Sequence, residues 1–291
     1  MTDLLDYRNY GLVKFIEARS PTDSEPNAQV DDKFVNSTTG AAYSCTVATQ
    51  GSQEWLGNDG LVYPVAILAT DHPNLVAMYT MDNISGATLV DETANSNDLT
   101  ITGATATTGK IGNALDFTAG SHYASASDDS FRTGSAGVSL WVNQTASQNA
   151  WVWCFGDNQI SDNLFYALVR SADNKLELAY DTSGGGHRKQ EETTTAVGSA
   201  GSWVHLVFNA SDAGGFEVFA DGVLLTTTPM AAAIGTRCYP SGADTGLDTF
   251  AIGALIRGAS LFGQHLQDQS RVFNRTLTQA EVTALYDEGA P

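Results

Sequence analysis

Basic residues are scarce in this chain. Lys and Arg total 14 against 33 Asp and Glu in 291 residues, a formal net charge of −19. A surface of that sign repels phosphate backbones, so nucleic acid is not an expected partner. Cysteine is almost missing. Cys45, Cys154 and Cys238 are odd in number and widely spaced, and they form neither a metal motif nor a disulfide framework. Buried free thiols, folded in a reducing cytoplasm, are the expectation. Long apolar runs are absent, and none approaches the ~20 residues a membrane span needs. The opening Met1-Thr-Asp-Leu-Leu-Asp6 lacks the basic and apolar regions of a secretory signal. No internal repeat, heptad pattern or low-complexity shaft occurs, which argues against a long fibre. A Gly-x-Ser-x-Gly nucleophile elbow is also missing, and the five histidines are scattered.

What the chain does hold is strand and turn chemistry. Hydrophobic residues make up 42%, charged residues only 16%, and there are 28 glycines. That balance fits a soluble β protein better than a helical one. The most informative stretch runs from Trp203 to Leu225. Val204, Leu206 and Phe208 share one face of a first run, and Phe216, Val218 and Ala220 share one face of a second. A loop cluster, Asn209 to Gly215, separates them, and Asp221-Gly222 then supplies a two-residue hairpin turn. The spacing predicts a three-stranded antiparallel meander. Leu176, Leu178 and Tyr180 alternate with Glu177, Ala179 and Asp181, a half-buried strand introduced by the Asp173-Asn174 turn.

The C-terminus reads as a short helix. Thr278 and Glu281 form a capping box, and Leu277 and Val282 stand at the staple positions. Val282, Leu285 and Tyr286 fall on one face, and Gly289 can cap the end.

Several of these segments resemble laminin-G-like domains of the concanavalin A-like jelly-roll group. Gly109-Lys-Ile-Gly-Asn-Ala-Leu-Asp-Phe117 matches that family's Gly-x-x-Gly-x-Ala-Leu-x-Phe. Val76 to Asp82 is similar to its opening strand, Val138-Ser-Leu-Trp-Val142 to its Trp-Val strand, and Phe250-Ala-Ile-Gly253 to its Ile-Gly strand. The Trp203–Leu225 meander and Arg271-Val-Phe-Asn-Arg-x-Leu277 before the helix complete the resemblance. One departure stands out. Where the family has Gly-x-Ile-Asp-Asp/Glu, this chain has Gln264-His-Leu-Gln-Asp-Gln-Ser270, with only Asp268 as counterpart, which suggests a rebuilt loop.

The resemblance implies an all-β antiparallel jelly-roll sandwich over residues 75–291, with a short C-terminal helix. Residues 1–74 are expected to be a small β-containing attachment region. There Leu12, Val13, Phe15 and Ile16 form an apolar patch on an arm, and Ser20 to Pro26 reads as a loop. Lys33 to Val47 reads as a hairpin turning at Thr39-Gly40, followed by Trp55. Leu61 to Thr70, broken by Pro64, reads as an edge strand or linker. The hairpin and Trp55 resemble small β modules of tailed-bacteriophage virion proteins.

Related glucanases place Glu-x-Asp-x-x-Glu on one strand so that paired carboxylates reach a cleft. That pattern is missing, so no enzymatic activity is expected. Laminin-G-like domains often hold calcium at the sandwich rim. The resemblance then points to Asp157, Asn158, Asp162 and Asn163, or to the Asp91 and Asp98 loop, although turn chemistry also explains these residues. Tyr239, His187 and Arg188 are the loop-borne candidates for glycan contact. Trp151 and Trp153 fall on one side of an apolar strand and are expected in the core.

The combined expectation is a non-enzymatic virion protein, a capsid decoration or short spike. Residues 1–74 would bind a major capsid or tail protein, with Leu12, Phe15, Ile16 and Trp55 as contacts. The sandwich would be displayed as a homo-oligomer towards a cell-surface glycan. The alternative is a free lectin-like carbohydrate-binding protein.

Overall fold

The computed structural model describes residues 70, 72–127, 129–144, 149–156, 164–181, 188–213, 215–230, 238–240, 247–256 and 261–289, and the backbone of five strands before residue 64. The chain divides into two compact units, Met1–Ala69 and Thr70–Pro291.

The first unit carries a five-stranded sheet whose strands follow chain order: Val13–Glu17, Lys33–Asn36, Ala42–Val47, Glu54–Gly57 and Val62–Tyr63. The expected hairpin forms, pairing Phe34 with Tyr43. The expected arm does not stay an arm along Val13–Glu17, which runs parallel to Lys33–Asn36 as a strand. Trp55 lies opposite Cys45, and Val62–Tyr63 is the edge strand just before Pro64. Leu12 lies outside the described residues, as do the side chains of Phe15, Ile16 and Trp55.

The second unit is a jelly-roll β-sandwich of antiparallel sheets. An eight-stranded sheet centres on Ser135–Gln144, flanked by Trp203–Ser211 on one side and His265–Phe273 on the other. A ten-stranded sheet centres on Ala150–Gly156, flanked by Leu164–Val169 and Thr249–Ile252. The predicted meander forms with Leu206 opposite Ala220 and Phe208 opposite Val218, so both apolar trios enter one core. Asp221 and Gly222 take φ of 48° and 80°, the left-handed pair that a tight primed hairpin turn needs. Trp153, Phe165, Tyr180 and Phe208 meet in the centre of that core, with Trp153 edge-on to Phe165 at 4.7 Å.

Two breaks in period-two alternation shape the sandwich. A bulge between Trp151 and Trp153 turns Trp151 to the outer face while Trp153 stays in the core. The two tryptophans therefore do not share a side. A second irregularity lies where Ser139 to Trp141 meets His265–Phe273, beside Gln269 at φ 48°. The expected rebuilt loop is in fact a strand with a kink. Its Asp268 carboxylate accepts the Lys110 and Ile111 N–H groups, both at 2.8 Å, and so clamps the Gly109–Gly112 turn of the family motif. A Cβ on Gly109 would lie 2.5 Å from that carboxylate, which accounts for the glycine.

Part of each outer face of the sandwich is covered. Gln279–Gly289 forms the predicted helix, with Thr278 N–H donating to Glu281 Oε2 at 2.8 Å. It lies over Trp141, which Tyr286 stacks against at 5.8 Å. Gly289 is not a left-handed cap. It closes the helix against the Trp141 ring, where a Cβ would come within 2.8 Å. On the ten-stranded sheet, Ala254–Leu255 and Leu261–Phe262 pair across a second cluster of Trp151, Cys154, Tyr166, Leu168 and Ala179. Glu177 and Ala179 are buried as well, so that strand is covered on both faces rather than half-buried.

Candidate functional site

An open cleft of about 840 Å³ remains at one rim of the sandwich. Its walls come from four places in the chain. Thr70 and residues 72–76 lead into the strand Leu75–Tyr79, 92–97 form a loop, Ser130 lies in the short helical turn Asp129–Phe131 with Thr133 just after it, and Asn274 follows the last strand.

The 92–97 loop is built on Asp91. One oxygen of its carboxylate accepts Met78 N–H at 2.9 Å and Thr93 N–H at 3.0 Å. The other accepts the Thr93 hydroxyl at 2.8 Å and Asn97 N–H at 2.9 Å. Asp98 in turn accepts Asp91 N–H at 2.8 Å. Ser96 sits at φ 58°, and the residues on either side both turn their amides inward. Asn95 Nδ2 donates to the Leu75 and Val76 carbonyls, each at 3.0 Å, and Asn97 Nδ2 donates to Val76 at 2.8 Å. A loop held this way presents a fixed shape at low ordering cost. Four donors engage the two oxygens of Asp91, so this carboxylate holds the loop together.

The opposite wall is held through backbone and hydroxyl bonds. Thr133 donates to the Ser135 carbonyl at 2.6 Å, and Ser135 donates to the Asn274 carbonyl at 3.1 Å. Asn274 N–H donates to Asn74 at 2.9 Å, tying this wall to residues 72–75. The His72 ring packs edge-on to Phe273 at 5.9 Å. Glu92 is the one carboxylate of the described lining, and no Lys or Arg lines it.

None of the expected ligand residues is in the described lining of the cleft. Tyr239 is a correction. It is fully buried between Phe165 at 5.1 Å and Trp153 at 6.5 Å, and burial raises its phenol above the ordinary range. A loop position did not make it accessible, because its ring completes the core. Arg188 begins a strand opposite Asp181, but its side chain lies outside the described residues. His187, Asp157, Asn158, Asp162 and Asn163 lie outside them too. Among the described residues, no three His, Cys, Asp or Glu gather as a metal site. No described helix is long and apolar enough to cross a membrane.

The remaining buried titratable groups serve the fold. His205 accepts or shares a proton with Ser139 at 2.9 Å beneath the helix, and burial, helped by the Arg271 charge, pulls its pKa down to about 3. His265 contacts Gln267 at 3.0 Å, and burial lowers it to about 4. Burial pushes Asp268 up to about 7 despite its backbone donors. Glu177 on the outer face of the ten-stranded sheet accepts from Tyr166 at 2.5 Å and from Gln190 at 2.8 Å.

Residues 118–283 match the family model described as the concanavalin A-like lectin/glucanases superfamily. The chain belongs to that superfamily. The Gly109–Phe117 motif lies just before the matched span. Solved structures agree on the fold. Domain 4 of AbnA, a GH43 extracellular arabinanase from Geobacillus stearothermophilus in complex with arabinotriose, aligns with TM-score 0.56 and 22% identity over 73% of this chain and 98% of that one. The receptor-binding domain of botulinum neurotoxin type G aligns with TM-score 0.51 and 11% identity over 74% of this chain and 51% of its own. Trypanosoma rangeli sialidase aligns with TM-score 0.53 and 14% identity over 88% of this chain and 43% of its own. The chain thus spans nearly all of the arabinanase domain but about half or less of the other two. No curated protein matches the chain.

Sequence reading reached the Asp91 loop but missed the cleft. Its other walls are His72 and Asn274, some 200 residues apart in the chain, and no local pattern links them. The Asp91-x-Thr93 spacing, a self-bonding turn, was the signal for the loop's rigidity.

Proposed function

We propose that this protein is a non-catalytic carbohydrate-recognition module displayed on a tailed-phage particle. The observation that carries the recognition half is the rim cleft, an open polar hollow on a lectin-type sandwich. Concave sites with a few fixed polar groups are the default binding hypothesis on any fold. The arabinanase domain that shares this fold was solved with arabinotriose bound, which supports a sugar as the ligand class.

The virion half rests on residues 1–74. Their hairpin and Trp55 resemble small β modules of tailed-phage virion proteins, and Leu12, Phe15, Ile16 and Trp55 are the proposed contacts to a major capsid or tail protein. The particle would carry the protein as a homo-oligomer. Absence of the glucanase carboxylate pattern supports a binding role over hydrolysis. Asp157, Asn158 and Asp162 stay the proposed calcium ligands, and calorimetric titration with calcium tests them.

Two measurements separate this reading from its rival, a free lectin. Light scattering after size exclusion is run on the full chain and on a chain starting at Leu75. A larger assembly for the full chain alone supports attachment through residues 1–74. Monomers in both cases move the reading to the free lectin. Turnover on a polysaccharide panel would overturn the non-catalytic part.

A further inference from the structure

We infer that the rim cleft binds a neutral oligosaccharide and discriminates against acidic ones, an inference that rests on the carbohydrate reading above. The described lining offers the Asn274 amide, the Asn95 side-chain oxygen and the Thr133 hydroxyl oxygen, with Glu92 as its only charge. Such groups match sugar hydroxyls, which both donate and accept. The Pro73 side chain and the His72 ring, propped against Phe273, add an apolar surface for a sugar's C–H face.

Charge decides the class of sugar. Recognition of a carboxylate or sulfate calls for a paired cation, most often arginine. The described lining has none. Arg132, between Ser130 and Thr133 in the chain, is half-buried and does not line the cleft. Glu92 and a net charge of −19 add repulsion towards any acidic glycan. The cleft is also preformed. Asp91, the Ser96 turn and the two Asn–carbonyl ties fix its floor, so binding does not have to order it. Its ~840 Å³ lies within the range of about 300–1,000 Å³ found for small-ligand sites.

The test uses the full chain on an array carrying neutral oligomers of arabinose, glucose, galactose and mannose beside sialylated, uronic and sulfated glycans. Neutral oligomers are expected to bind. Ala94→Trp, which fills the cleft from an exposed position, and Asn274→Ala, which removes one wall amide, should each weaken that binding about tenfold or more. Melting temperatures unchanged from the parent would show that neither variant acts through folding. Glu92→Lys should gain binding to acidic glycans. Neutral binding that neither variant weakens would overturn the cleft while leaving the carbohydrate reading intact. Preference of the parent for acidic glycans would overturn the charge rule. No binding to any glycan would overturn the carbohydrate reading itself, and the inference with it.

Discussion

The rim cleft and the helix-covered face of the eight-stranded sheet are made from similar residues, yet one is open and the other sealed. Under the helix, Ser139, His205, Asn209 and Arg271 are all buried, and each finds a partner inside the protein. Arg271 holds Glu288 through two bonds of 2.7 and 2.8 Å, and Asn209 both donates to and accepts from the Leu277 backbone at 2.8 Å. At the rim, the buried carboxylate of Asp91 spends its bonds on backbone and leaves Ala94, Asn95, Ser130 and Asn274 facing outward. Polar residues thus do two jobs here. They weld the helix to the sheet, and they shape an edge that stays available to a ligand.

The sharpest break in this comparison is Asp91→Ala. It strands the buried Met78, Thr93 and Asn97 N–H groups, so a loss of roughly 3–5 kcal/mol is expected in urea unfolding. Glycan binding should fall with it, because the same bonds hold the cleft floor. Leu285→Ala acts on the other region alone. It removes a fully buried contact of the helix, for an expected loss of about 2–4 kcal/mol with glycan binding unchanged below the melting point.

Acidity offers a subtler probe of the sealed regions. Between about pH 5 and 6.5, His205 and His265 are neutral in the fold and gain protons on unfolding. Asp268 is protonated in the fold and loses its proton on unfolding. Depressed histidines lose stability as pH falls, whereas the raised aspartate loses stability as pH rises. Near pH 5, two against one leaves stability falling by about 1.4 kcal/mol per unit of acidification, and the slope shrinks towards pH 6.5 as the unfolded histidines reach their own pKa. His265→Gln should flatten that slope, and Asp268→Asn should roughly double it. A parent slope near zero, measured by urea unfolding close to pH 5, would contradict the three assignments.

The smallest effect is expected at the helix start. Thr278→Ala removes half of the capping box, and about 1 kcal/mol should follow, with the cleft untouched. Loss of glycan binding in this variant would erase the proposed independence of the two regions.

Much of the sandwich was legible because its signals are local. The meander from Trp203, the Asp221-Gly222 turn and the Thr278–Glu281 cap each follow from residues within a few positions of one another. The readings that failed needed contacts from afar. Trp151 joins the second buried cluster instead of standing beside Trp153, because of a bulge that alternation does not announce, and Tyr239 enters the central core although it sits in a loop. The Gln264–Ser270 segment departs from the family pattern, yet it still makes a strand, because Ser135–Gln144 pairs along it.

Sequence alone determined the fold class, since strand periodicity, turn glycines and capping chemistry act over a few residues and all pointed the same way. Tertiary structure alone decided the site. The cleft exists because Asp91 draws a loop onto the first strand and Asn274 returns beside it from the far end of the chain. Local propensity carries no information about which distant segments will meet, and only the closing of the sheets brings those walls together.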